Sequence, residues 1–332
     1  MTTFRTIVNI PPQAPNERIN YDTPLLLMGS CFAENIGGNL LYYKLPTCLN
    51  PFGILYNPLS VQAALQSLII GKKYAANDLL FYNEQWLSLA HHGRFSHSDK
   101  AVCLQQINEA VVQGQQYLLK ARFLVITFGT AWAYRQLVSQ QVVANCHKIP
   151  AREFERFRIS KEEIVATFKQ TIHEIRTFNT DLRVVFTVSP VRHWKDGAVE
   201  NQWSKATLLT AVHELCTTMN KVYYFPAYEM MMDDLRDYRF YKSDMMHPNE
   251  VAVDYIWQRF GEAFFTEKTQ DILQKISKIQ QARHHRPRNP KSDAHQRFLQ
   301  KQLQQIEQLE RQFPMVNFEE EKGYFTQNIN LT

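Results

Sequence analysis

The hydrophobic positions gather into four short, almost unbroken runs: Pro24 to Gly29 (PLLLMG), Arg122 to Gly129 (RFLVITFG), Arg183 to Ser189 (RVVFTVS) and Lys221 to Pro226 (KVYYFP). Runs of this length with no polar alternation predict strands covered on both faces. Between them the apolar positions change to helical spacing. Asp99 to Ala121 precedes the second run, Ser160 to Phe178 the third and Glu200 to Asn220 the fourth, and Asn249 to Phe265 follows it. Ser160 and Glu163 stand at capping-box spacing. Alternation of this kind predicts an α/β fold, a doubly wound parallel sheet flanked by helices. Right-handed crossovers then bring the carboxyl ends of the strands to one rim, where open α/β sheets bind ligands.

Two regions depart from the alternation. Residues 46–94, with NPFGILYNP, a short helix and EQWLSLAHHGRFS, read as an insertion near the rim. From residue 268 onward come two polar helices, Lys268 to Ala282 and Ala294 to Phe313, joined by the basic linker Arg283 to Lys291 (RHHRPRNPK). Phe298, Leu299, Leu303, Ile306 and Leu309 give the second helix an apolar stripe that can dock on the sheet domain or on a second copy of the chain. The expected organisation is therefore a domain over residues 1–267 and a helical C-terminal extension over 268–332, with self-association through the extension as one partner mode.

Composition narrows the classes. With 45% apolar residues in 332 the chain can bury a sizeable core. A net charge of +5 is weak for this length, and the basic residues concentrate in a linker, so no nucleic-acid partner is expected. No stretch reaches the roughly 18 apolar residues of a membrane span, and MTTFRTIVNIPPQ lacks the apolar centre of a secretory leader. The five cysteines, Cys31, Cys48, Cys103, Cys146 and Cys216, are odd in number and show no CxxC spacing, which fits free thiols in a cytoplasmic protein.

Chemistry collects at the strand ends. The first run stops at Gly29 and opens at once into Ser30, Cys31 and a helix-forming stretch, so two potential nucleophiles sit where strand meets helix. The second ends in FGTAWAY and is followed by ANCHKIP, with Asn145, Cys146 and His147; the third ends in SPVRHWKDG, with His193. After the fourth, Asp244 and His247 stand three residues apart, with Pro248 placed to begin a helix. An Asp three residues before a His can curl back onto one imidazole nitrogen and leave the other free to take a proton, which is the base and orienter of a catalytic triad. His91, His97, His147 and His193 are the histidines a metal-dependent reading would use, although no ligand pair lies at zinc-like spacing.

MGSCFAENIGGNL resembles the signature of the GSCFA family, bacterial proteins whose fold is similar to that of the SGNH (GDSL-type) hydrolases, a three-layer sandwich. The resemblance covers roughly residues 25–264. In SGNH enzymes the first block reads Gly-Asp-Ser with the third residue as nucleophile; the second supplies a Gly amide and the third an Asn for the oxyanion hole; the last reads Asp-x-x-His. Asp244 and His247 match the last block, and ITFGTAWAY resembles the third. Two departures stand out. Gly29-Ser30-Cys31 puts Cys31 rather than Ser30 at the nucleophile position, and Ala131 replaces the oxyanion Asn. A thiolate at a helix N-terminus has a lowered pKa and attacks carbonyls well.

These readings lead to an acyl-ester hydrolase or O-acyltransferase working through Cys31 (or Ser30), His247 and Asp244. Gly129 and Thr130 would supply backbone oxyanion donors, Asn145 the substitute side-chain donor, and His147 and His193 would lie in the substrate region. The resemblance implies a small acyl ester, such as an acylated carbohydrate, as substrate, with no cofactor or metal, and Trp86, Trp132, Trp194 and Trp203 could stack on a sugar. A binding module that kept the fold without the oxyanion hole is the alternative, and a metal-dependent hydrolase the third.

Overall fold

In the computed structural model, which describes residues 7–10, 18–314 and 316–329, the hydrophobic runs form the middle of a sheet. β1 (Leu25–Gly29) leads through Ser30 into α1 (Cys31–Tyr42), and a short turn brings the chain back as β2 (Thr47–Leu49). α2 (Pro58–Ile69), the hairpin of β3 (Leu80–Tyr82) and β4 (Gln85–Leu87), and α3 (Lys100–Lys120) follow. Next come β5 (Phe123–Phe128), β6 (Trp132–Gln136), β7 (Val142–Val143), β8 (Phe154–Arg158) and α4 (Lys161–Arg176). β9 (Arg183–Val188), α5 (Ala198–Thr218) and β10 (Val222–Tyr224) complete the alternation. A short α6 (Ala227–Glu229), then α7 (Glu250–Phe264), α8 (Glu267–His284), α9 (Asp293–Gln312) and α10 (Glu319–Ile329) close the chain. The first residues, on which the leader expectation bears, fall largely outside the described ones.

The main sheet is wholly parallel, in the order β10-β9-β5-β1-β2. The chain steps outward from β1 to β2, then crosses back to lay β5 on the other side of β1. The strand order therefore reverses between β1 and β5, and the crevice beyond their carboxyl ends is where such sheets take ligands. β6, β7 and β8 form a separate antiparallel sheet, which overhangs this crevice.

Alternation along the strands divides the core in two. Leu26, Met28, Leu124, Ile126, Val184 and Phe186 face one layer, built from α2, α3, α4 and α5. Leu25, Leu27, Phe123, Val125 and Val185 face the other, built from α1, α7 and the C-terminal helices. The result is a three-layer α/β fold.

One expectation needs correction. The segment 46–94 is not wholly an insertion: Thr47–Leu49 pairs with β1 as an edge strand and α2 covers the sheet, while the rest lies toward the rim. A three-residue strand beside a proline is too short to show a period, so TCL gave no strand signal. The apolar stripe of α9 docks on its own chain. Leu299, Ile306 and Leu309 are buried in the same cluster as Leu25 and Leu27, the first of the two dockings the stripe allowed. A third helix, α10, adds Phe325 to that cluster, and its Glu321 is buried, accepting from Gln280 (2.6 Å) and paired with Lys44 just beyond α1 (3.0 Å). Among the described residues no helix is long and apolar enough to cross a membrane.

Candidate active site

The turn between β1 and α1 is held flush against β5. Gly29 has φ +136°, and a Cβ there would lie 2.1 Å from the carbonyl oxygen of Thr127, so only glycine allows this approach. Its N–H donates to Asn50 Oδ1 (2.9 Å) and its carbonyl accepts from Leu55 N–H (2.9 Å). Ser30 N–H donates to Thr127 (3.0 Å), and Ser30 takes the N-cap position of α1 without making a cap bond. Its Oγ is buried with no partner. Cys31 is half-buried at the first position of α1 and lines a cavity of about 690 Å³. Of the two candidate nucleophiles, Cys31 opens on the cavity; Ser30 is beneath its floor.

The Cys31 thiol differs from the expectation for a helix N-terminus. Burial raises its pKa above the ordinary thiol value; Lys205 opposes the rise, Glu34 adds to it, and the backbone N–H groups of Phe32 and Cys31 oppose it. The desolvation of a half-buried sulfur thus outweighs the helix terminus, and the thiol needs a base to be deprotonated at neutral pH.

Asp244 and His247 form a hydrogen-bonded pair on one turn. Asp244 Oδ2 lies 2.7 Å from His247 Nδ1, and Oδ1 accepts from the backbone N–H groups of Met246 and His247 (both 2.9 Å). These bonds, those of the two N–H groups first, hold the Asp244 carboxyl down to about 2, so it is ionised wherever imidazole titrates. With Nδ1–H held by the carboxylate, Nε2 is left as the acceptor, and His247 lines the same cavity as Cys31. Met245, at φ +58°, makes the tight turn that folds Asp244 back. Pro248 pairs with Tyr241 instead of starting the helix; Asn249 caps α7 through Ala252 N–H (3.1 Å).

The expected oxyanion donors are placed differently. Gly129 N–H and Thr130 N–H both donate to the carbonyl of Tyr56 (2.7 and 3.0 Å), so neither faces the cavity as a donor. Ala131 is fully buried with its N–H on Ser204 Oγ (2.7 Å), so the position matched to the oxyanion Asn points into the core. Asn145 lines the cavity, but its Oδ1 closes a turn on His147 N–H (2.8 Å), leaving only Nδ2 to donate. Asn57, unnoticed in the sequence, has the same form: it lines the cavity and caps α2 through Ser60 N–H (2.9 Å).

The histidines do not converge. His147 Nε2 donates to the carbonyls of Ser88 (2.9 Å) and His91 (3.1 Å), fastening two loops together. His91 is buried and stacked on Phe52, and burial takes it down to about 3; His97 Nδ1 accepts from Asp99 N–H. His193 stands edge-on to Tyr56, and burial, Lys205 and His247 take it down to about 4, so it is neutral. Among the described residues no group of three or more His, Cys, Asp or Glu is gathered to hold a metal ion. Of the four tryptophans only Trp132 lines this cavity; Trp194 lines an adjoining one, Trp203 covers Arg158, and Trp86 packs on Phe81.

One residue at the centre escaped the sequence reading. Lys205 is fully buried, and Nζ donates to the carbonyls of Gly129 (2.6 Å) and Ser189 (2.7 Å), joining the ends of β5 and β9. Burial takes it down to about 7, while Cys31 pushes it back up. Its signal was available: it falls on the apolar face of α5 with Leu208, Ala211 and Val212, where an unexplained lysine is rare.

A cysteine at the strand-order reversal of a parallel sheet and a histidine held by an aspartate thus line one cavity. The chain belongs to the GSCFA family: the family model matches residues 24–260, and the model of the GSCFA domain protein C-terminal domain matches residues 276–331. A comparison with curated proteins gives no match.

Proposed function

We propose that the protein is an acyl-transfer enzyme in which Cys31 is the nucleophile, His247 its base and Asp244 the carboxylate that orients the base. His247 Nε2 takes the thiol proton as sulfur attacks the ester carbonyl, and the same proton then goes to the leaving alkoxide as the C–O bond breaks. Water or an acceptor alcohol resolves the thioester, giving hydrolysis or O-acyl transfer. The observation carrying this reading is that His247, whose Nδ1 is held by Asp244, and Cys31, the cavity-lining member of the Ser30-Cys31 pair, line one cavity. The likeness of MGSCFAENIGGNL and of the Asp-x-x-His segment to SGNH blocks supports the same chemistry and a small ester as substrate. The five thiols are all unpaired, which suits a reducing compartment such as the cytoplasm.

Incubation with a small aryl ester and mass mapping of the acylated peptide tests it. Acyl mass on Cys31, lost in Cys31→Ala and retained in Ser30→Ala, is the expected result; turnover surviving in both variants would sink the reading. The binding-module alternative is favoured by one observation, the engagement of the Gly129 and Thr130 amides by Tyr56. It expects ligand binding without an acyl adduct in the native chain.

A further inference from the structure

The charged groups around Cys31 are unbalanced. Lys148, Arg156, Arg192 and Lys195 line its cavity, and Asp196 is the one carboxylate among the lining residues. Asp196 is already joined to Arg156, whose guanidinium also lies over Trp132 (3.8 Å to the ring centre). Nearby acids are engaged too: Glu34 pairs with Arg94 (3.4 Å), and Asp244 has both oxygens on its own turn and His247. Arg192 has no carboxylate within ion-pair distance among the described residues, and its guanidinium donates to the thioether of Met232 (3.6 Å). It stands at the junction with the adjoining cavity of about 700 Å³, which Met231, Met232, Tyr238 and Tyr241 line together with Arg236, Asp237 and Asp244; there Asp237 pairs with Arg239 (3.9 Å) and Asp244 with His247. The whole chain carries only +5, so this concentration of cations beside one thiol is local rather than general.

A guanidinium that lines a cavity with no carboxylate within ion-pair distance is completed when an anionic ligand binds, and low-dielectric walls focus the field. We propose that the substrate of the Cys31 site carries an oxyanion, a carboxylate or phosphate group distinct from the reacting acyl carbonyl, seated on Arg192 with Lys195 and Lys148 at the mouth. The proposal rests on Cys31 being the reacting centre and names the substrate class for it. The neutral sugar ester suggested by the family resemblance becomes an ester that also bears a negative group.

The test uses the thiol itself and needs no turnover. Cys31 is alkylated with iodoacetate, which is anionic, and with neutral iodoacetamide; the Cys31 peptide is quantified by mass, and the ratio of rates is compared with that of N-acetylcysteine. Taking the ratio cancels any change in thiolate fraction. The expected ratio exceeds that of the free thiol by about tenfold or more, declines with added salt, and falls toward the free-thiol value in Arg192→Gln and more weakly in Lys195→Gln. Protection from iodoacetamide by inorganic phosphate more than by acetate assigns a phosphate; the reverse order assigns a carboxylate. A ratio equal to that of the free thiol and unmoved by either substitution would overturn the proposal, as would a Cys31 that neither reagent reaches. A preference for iodoacetate without any acyl adduct from esters would keep the anion site and remove the acyl-transfer reading.

Discussion

Lys205 Nζ donates to the carbonyl oxygen of Gly129 at 2.6 Å from a wholly buried position. The carboxyl ends of parallel strands present a row of carbonyl oxygens, and a thiolate formed above them would meet their negative ends. A buried ammonium group between β5 and β9 offsets that field. Below about pH 7, where Lys205 is charged, Lys205→Met should slow Cys31 alkylation, because a cation that favours the thiolate has been removed; above it the two proteins should converge. An unchanged profile would reduce Lys205 to a strand clasp.

The same lysine gives stability a pH dependence of defined sign. Its native pKa of about 7 lies below the roughly 10.4 of an unfolded lysine, so between those values the unfolded chain holds a proton that the native one has lost. Stability should rise with pH across that window and fall back as pH drops through 7. Denaturant unfolding of wild type and Lys205→Met from pH 6 to 10 checks this: the rise should be smaller in the variant.

Asp244→Asn should lower turnover of an aryl ester by about a thousandfold or more, because the imidazole loses its tautomer and direction. His247→Ala should cost at least as much. Since burial holds the Cys31 thiol protonated, the rate should depend on the base throughout the neutral range. Native-like rates in Asp244→Asn would mean that the turn serves α7 alone.

Asn57 and Asn145 both line the cavity, and each uses Oδ1 structurally, which leaves Nδ2 to donate. Asn→Asp at either position keeps the acceptor and removes the donor. The one that supplies the oxyanion hole should lose about two to three orders of magnitude in kcat with thermal stability nearly unchanged. The other should lose little.

Gly29→Ala should destabilise the chain by about 3 kcal/mol or more, since its methyl would enter the Thr127 carbonyl in a φ region that side chains avoid. The midpoint of denaturant unfolding measures this. Gly129→Ala is a milder change: its methyl would meet His193 Nε2, Ser30 Cβ and Tyr56 Cδ1 at 3.2 Å, so activity should suffer before stability.

β1, β5 and β9 were legible because each is covered on both faces and so reads as an unbroken apolar run, the three-residue β10 because its neighbours extend such a run, and the Asp244–His247 contact because its geometry is local. Three residues apart on one turn, they need nothing from the rest of the fold. The oxyanion assignments fared differently because they depended on where a backbone N–H points, and Tyr56, more than 70 positions before Gly129 in the chain, decides that. Ser30 and Cys31 could not be ranked for a similar reason: which of two neighbours is buried depends on the closeness of β5. Helix α10 was missed because its Glu-rich start reads as solvated, whereas Glu321 is paired in the interior.

The clasp of Glu321 on Gln280 and Lys44 has a consequence for how this chain must be made. Lys44 lies just past the far end of the helix that begins with Cys31, and the cluster that α1 and α7 form on that sheet face is completed by α8, α9 and α10. During synthesis those helices emerge after the sheet and α7, so until they do, part of this apolar cluster stays open to water. A ribosome-stalled or prematurely terminated product ending near residue 267 should be a chaperone client and a protease substrate, not a smaller working protein.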